Sequence, residues 1–224
     1  MPNFSGIWTV TQQMQAKGQS LWPPLVPVVG SALGGGFFAG QISTAGNGIA
    51  DYNLIVGPIS SAQSTLEWKN VNTATVGADS VIDGPQNTAD MVADGNSTVY
   101  PCAHFCNDLS TGGQTDWYMP SQNELEVCYY NLKPTTQNNN TGFGVNANAV
   151  PARASNYTTG DPAQTTATDF KSTGAEDFVI GDFYWSSTEN SGTTAWAKVF
   201  SSGAQSNYGK NYAGRVRAIR RVAV

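Results

Sequence analysis

Tyr184-Trp-Ser-Ser-Thr-Glu-Asn190 sets two aromatic residues before a run of small hydroxyl side chains, and its reading decides the architecture. Phe183-Tyr-Trp185 has the aromatic composition of a strand. Downstream, Ala195-Trp-Ala-Lys-Val-Phe200 and Arg215-Val-Arg-Ala-Ile-Arg-Arg-Val222 alternate polar and apolar residues. Half-buried antiparallel strands have that period. Phe178-Val-Ile180 is a further strand-like run. Trp185, Trp196, Val199 and Val216 are the core candidates of this C-terminal sheet. Between them, Thr188-Glu-Asn-Ser-Gly-Thr-Thr194 and Ser206-Asn-Tyr-Gly-Lys-Asn-Tyr212 read as loops.

Working towards the N-terminus, residues 135–175 are rich in Asn, Thr, Ala and Gly and have weak periodicity. A loop that long is usually functional or ordered by contacts elsewhere. Before it, Ser121 and Glu124 form a capping box that opens a helix. Leu125, Cys128, Tyr129 and Leu132 line one face, and Pro134 stops it. An earlier helix carries Val99, Cys102, Cys106 and Leu109 at spacings of three, four and three, with Gly112-Gly113 as its end. The stretch from Asp79 to Gly95 reads as loops. Leu66-Glu-Trp-Lys69 is a short strand. Phe37-Phe-Ala-Gly-Gln-Ile42 and Tyr52-Asn-Leu-Ile-Val56 flank an Asn47-Gly48 hairpin signal.

Residues 1–33 differ from the rest. Trp8, Trp22 and the Pro-Pro of Leu21-Trp-Pro-Pro-Leu-Val-Pro27 favour extended backbone without a local core. The segment reads either as an anchor packing on a neighbouring subunit or as a strap around its own domain. The domain proper is expected over 34–224.

The chain has 224 residues, of which only 12% are charged, about half the usual share, and the net charge is −5. That suits an all-β or irregular extracellular-type domain with few long amphipathic helices, and it disfavours nucleic acid as a partner. Six of the eleven Lys and Arg residues fall between Lys198 and Arg221, where the sheet can pair them with acids. No apolar stretch is long enough for membrane insertion. Met1-Pro-Asn-Phe has neither the basic start nor the apolar run of a secretion signal.

In chain order, the Cys106 helix, Gly112-Gly113, Asp116-Trp-Tyr-Met-Pro-Ser121, Glu124-Leu125, Asn131-Leu-Lys-Pro134, Tyr184 to Glu189, Ala195-Trp196, Phe200, Gly203 and Val216-Arg217 form a spaced set. Together these pieces resemble the prokaryotic C-type-lectin-like domain family found in collagen-like bacterial adhesins and at phage tail-fibre tips. The resemblance covers about residues 97–222, with 135–175 as an insertion. It implies an α+β, C-type-lectin-like fold: a twisted antiparallel sheet, two short helices and long loops. It also implies a recognition surface without catalytic machinery. The calcium-binding tripeptides and the later Trp-Asn-Asp of vertebrate C-type lectins do not occur here, so calcium-dependent sugar binding is not expected.

The chemistry-bearing residues agree with a binding role. His104 is the only histidine, and on a helix it stands about 200° from Cys102. Cys-Ala-His-Phe-Cys is therefore a poor zinc set, and neither metal nor cofactor is expected. The cysteines read as buried and inert; a Cys106–Cys128 bridge between the helices stays open. No nucleophile–base pair is evident, so the protein is not expected to be an enzyme. Thr188, Glu189, Asn190, Tyr208, Lys210, Asn211 and Tyr212 have the composition of binding loops; the same residues also suit ordinary solvated turns. The expected ligand is a host surface glycan or outer protein. The expected function is host attachment as a phage tail-fibre tip or receptor-binding protein. That protein would be assembled in the host cytoplasm, anchored to other virion proteins through the segment of Trp8 and Trp22, displayed on the virion surface and, by analogy, homotrimeric. Alternatives are a capsid decoration or head-fibre protein, and a bacterial surface adhesin domain, which the missing secretion signal disfavours.

Overall fold

The C-terminal run does not form one strand: it breaks at Ala218, and its halves join different sheets. The computed structural model describes residues 26–224. One sheet contains β1 (Ala32–Leu33), β2 (Gly36–Ile42), β3 (Tyr52–Val56), β5 (Ala149–Val150) and β10 (Ile219–Ala223). The other has the order β4 (Gln63–Glu67), β9 (Ala213–Arg217), β6 (Phe183–Glu189), β7 (Thr194–Val199) and β8 (Gln205–Gly209). Both are antiparallel except where β6 meets β9 in parallel at Tyr184 and Arg215. The break has a local cause. The N–H of Ala218 donates to Ala62 O at 2.8 Å, and its carbonyl accepts from Gly57 N–H at 3.0 Å. Both of its backbone groups are thus used by the segment around the one-turn helix α1 (Ile59–Ala62).

Among the described residues, three longer helices complete the α+β class: α2 (Gly84–Asp94), α3 (Pro101–Asn107) and α4 (Gln122–Leu132). The capping box of α4 is in place. The Glu124 carboxylate accepts from Ser121 N–H at 2.9 Å and from its hydroxyl at 2.8 Å. Helix α2 corrects the loop reading of 79–95. Asp83 caps Gln86 N–H, and proline occupies the first turn, where a missing N–H costs nothing. Helix α3 ends at Asn107, so Gly112-Gly113 does not terminate it; both glycines take positive φ in the turn joining Thr111 to Gln114. Phe178-Val-Ile180 is not a strand; Phe178 instead stacks on Phe200 at 3.8 Å. The expected single sheet is two, because Ala218 redirects the chain.

The central strand β6 is buried through Tyr184, Trp185, Ser186, Ser187 and Thr188. Alternation sends its aromatics into two separate cores. Trp185 packs with Trp68, Met91, Cys102 and Cys106, beside α2 and α3. Tyr184 packs with Phe178, Phe200, Tyr129 and Leu132, beside α4. Val216 is buried as expected, whereas Trp196 and Val199 are only half-buried. The three cysteines are free and buried, so the Cys106–Cys128 bridge does not form. Burial pushes all three thiols up, away from the thiolate that reactivity requires.

The domain starts earlier than Gly34. Gly30 N–H donates to Phe38 O and Phe38 N–H to Ser31 O, and Val29 packs on both cores. Trp8 and Trp22 lie outside the described residues. The 135–175 insertion is built against α4 rather than loose. Buried Asn139 accepts from Tyr129 Oη at 2.5 Å and donates to Thr158 O at 3.0 Å and Pro162 O at 2.9 Å.

Gly40 holds the bulge of β2 at φ +129°. A Cβ there would lie 2.3 Å from Asn131 Nδ2, which donates to Ala39 O at 2.8 Å. Gly40→Ala should therefore lower unfolding free energy by about 2–3 kcal/mol. Urea denaturation checks this, and an unchanged midpoint would show that the bulge can relax.

Candidate functional site

The short polar side chains of β6 have a structural task that leads to the site. Pairing with β7 is interrupted between Trp185 and Glu189. There the backbone turns its hydrogen bonds outward: Ser187 N–H donates to Pro120 O and Glu189 N–H to Ala78 O, both at 2.7 Å. Thr188 Oγ1 donates to Ser80 O at 2.9 Å and accepts from Gln122 N–H at 3.0 Å. Thr188 is thus 1% exposed and locks loop to helix, which corrects its place in an exposed patch.

At the end of β6, three loops meet: residues 70–76, 190–193 and 210–212. Lys210 lies beneath them, fully buried. Its Nζ donates to Glu189 Oε1 and to Thr73 O, each at 2.8 Å, and stands 4.8 Å from the Trp68 ring centroid. Glu189 also accepts from Thr75 N–H at 3.0 Å. Burial holds the Lys210 ammonium below the ordinary lysine value, and the Glu189 carboxylate opposes that shift. Backbone bonds add to the pair: Lys210 N–H to Thr193 O at 3.2 Å and Lys69 N–H to Lys210 O at 3.1 Å. Asn211 N–H donates to Asn72 Oδ1 at 3.2 Å. Lys210 and Glu189 are therefore the fastening of the rim, not its contact surface, because a lysine so enclosed has its donors committed.

Tyr208 is also a packing residue. Its ring stacks on Phe183 at 4.0 Å and meets Trp185 edge-on at 6.3 Å. Of the seven expected ligand-binding residues, Asn190, Asn211 and Tyr212 are the exposed ones. The residues that the sequence reading missed are on loop 70–76. Val76 is 85% exposed, Val71 46% and Tyr212 61%. The available signal was two valines in a loop of Asn, Thr and Ala, an unfavourable place for apolar side chains unless they face a partner.

Other chemistry-bearing groups lie elsewhere. His104 Nε2 is 2.8 Å from Gly95 O and takes no part in a cysteine cluster. Among the described residues, no group of three or more His, Cys, Asp or Glu side chains gathers as metal ligands do. No helix of the described residues is long and apolar enough to cross a membrane.

The family model described as the Lcl C-terminal domain matches residues 58–220. That span contains all three rim loops, the insertion and the second sheet. No curated protein matches the chain. Among solved structures, a fimbrial protein from Bacteroides ovatus is similar at a TM-score of 0.44 and 16% sequence identity, over 75% of this chain. The match spans 35% of that protein's length. A likeness at this level fixes neither fold nor function.

Proposed function

The chain belongs to the Lcl C-terminal domain family, and from that premise we propose that it is an adhesin-like, non-catalytic recognition domain whose three-loop rim contacts a surface ligand. The observation that carries the reading is the division of labour at the rim. A buried ion pair fastens the three loops from below, and Val71, Val76, Asn211 and Tyr212 face solvent above it. Rigid support beneath exposed tyrosine, asparagine and apolar side chains suits binding. Little side-chain entropy is then lost on contact, and loops on a fixed scaffold commonly carry function.

The finer part of the proposal places the domain on a virion surface, at a tail-fibre tip, in contact with a host glycan or outer protein. Its support is the resemblance of Asp116–Ser121 and Tyr184–Glu189 to the C-type-lectin-like domains at such tips. Immuno-gold labelling of purified particles separates tail from capsid, and labelling of intact bacteria reads the bacterial-adhesin alternative.

Tyr212→Ala tests the recognition role. Saturable binding of the labelled chain to its target cells should weaken by about thirtyfold, the effect of a tyrosine hot spot of roughly 2 kcal/mol. The melting temperature should stay within about 1 °C, since surface substitutions away from packed features cost little. Undiminished binding by a folded Tyr212→Ala protein would remove the rim from the reading. Tyr208→Ala is a poor probe, because it would unpack Phe183 and Trp185.

A further inference from the structure

At the opposite end of the β7–β8 ladder from the rim, Lys198 pairs in register with Gln205. Lys198 is 1% exposed, and its Nζ has no hydrogen-bond partner among the described residues. Leaving a buried ammonium without an acceptor is costly. Its near neighbours do not relieve it. The rings of Tyr129 and Tyr157 lie 5.4 and 5.3 Å away; they attract a cation but offer no carboxylate. Glu126, from α4, is already used. It accepts from Arg153, from Tyr157 Oη at 2.5 Å and from Asn146 Nδ2 at 2.6 Å. Burial, and then the nearby Arg153 charge, push Lys198 down to about 7.

Lys198 lines a pocket of about 170 Å³, together with Glu126, Gln122, Asn123, Asn156 and Gln205. Phe143 and Val145 form an apolar side, but the lining is otherwise mostly polar, unlike the predominantly apolar pockets that take drug-sized ligands, and the pocket is smaller than the roughly 300 Å³ at which those begin. Asn123 Nδ2 is engaged by Asn148 Oδ1 at 2.9 Å. The charges within the cluster leave one remainder. Glu126 and Arg153 form a pair, so protonated Lys198 is the cation without a counter-ion.

We propose that this pocket is a binding site for one small organic carboxylate, with Lys198 as its ionic partner and the amides of Gln122, Asn156 and Gln205 as flanking donors. A single negative charge balances the single uncompensated positive one. A doubly charged anion such as sulfate would instead add an excess negative charge beside Glu126. A carboxylate also offers two acceptor oxygens, enough for the ammonium and one amide at once, and charge-assisted bonds of that kind are the stronger class. The site is separate from the rim, and loss of either leaves the other reading standing.

Acetate is the probe and acetamide its neutral, near-isosteric control, titrated against the full chain at pH 6.5 and followed by amide and lysine side-chain NMR. Acetate should give saturable shifts at Lys198 and Gln205, and acetamide should bind at least tenfold more weakly. Bound acetate should raise the Lys198 pKa by about one unit or more, since an adjacent opposite charge favours the ammonium. Lys198→Met should abolish the response while keeping a melting temperature at or above that of the parent. Gln205→Ala, at the pocket's edge, should weaken binding severalfold. If Lys198→Met does not fold, the Lys198 titration in the parent protein decides the matter. Equal binding of acetate and acetamide, retained acetate binding by folded Lys198→Met, or an unmoved Lys198 pKa at saturation would each overturn the proposal. So would tighter binding of sulfate than of acetate.

Discussion

Glu189→Ala should destabilise the protein by about 3–5 kcal/mol, the cost of removing one partner of a buried ion pair. Lys210 is fully buried beneath the rim, and without Glu189 its ammonium would keep only Thr73 O as a polar contact. Thr75 N–H would lose its acceptor as well. Much of the effect is the uncompensated charge, so adding Lys210→Met should recover a large part of it. Urea unfolding of the two single variants and the double variant measures this coupling. A loss below about 1 kcal/mol in Glu189→Ala would mean that water reaches Lys210, and that the rim is not fastened from below.

Glu124→Ala should be comparably severe, and for a reason that spans the fold. This fully buried carboxylate accepts from Tyr118 Oη at 2.6 Å, Arg221 Nε at 2.8 Å and Gly84 N–H at 3.2 Å, besides both groups of Ser121. It therefore joins the starts of α2 and α4 to the last strand. Alanine would orphan several buried donors and leave Arg221 with Asp83 and Ile82 O as its remaining partners, at about 3–5 kcal/mol. Glu124→Gln keeps the volume and one acceptor oxygen and should cost distinctly less. Equal losses for the two variants would show that the charge on Glu124 is immaterial and that its shape alone matters.

These two residues also show what could be read in advance. Glu124 was legible because a capping box is local: Ser121 and its partner lie three residues apart, followed by an apolar face. The first hairpin was legible for the same reason, through Asn47-Gly48 between aromatic and β-branched runs. Helix α2 was not, because polar residues share its inward face with Met91. Asn87 and Thr88 are buried there, bonded to Ser80, Ser187, Gly84 O and Met119, so no hydrophobic period marks it. Asp83 and Pro85 did carry an N-terminal signal, masked by the glycine between them.

The rim was half legible. Its composition pointed to two of the three loops that meet there, 190–193 and 210–212, yet Thr188 and Lys210 are buried by partners more than a hundred residues away, Ser80 and Thr73. A polar side chain that stitches loops together and one that awaits a ligand have the same local sequence. Only the tertiary contacts separate them. The break at Ala218 was partly legible, since Ala218-Ile219 and Arg220-Arg221 interrupt the alternation there, but its cause lies near Gly57 and Ala62.

The central claim is that the outward side chains of the rim meet the ligand. Hydroxyl-radical footprinting of the chain, free and bound to target cells, tests it most directly. The account predicts that oxidation of Tyr212, Val71 and Val76 falls on binding, while Phe143, at the Lys198 pocket, and Phe105, on α3, react as before. Protection at Phe143 or Phe105 with Tyr212 unchanged would contradict it and place recognition on another face.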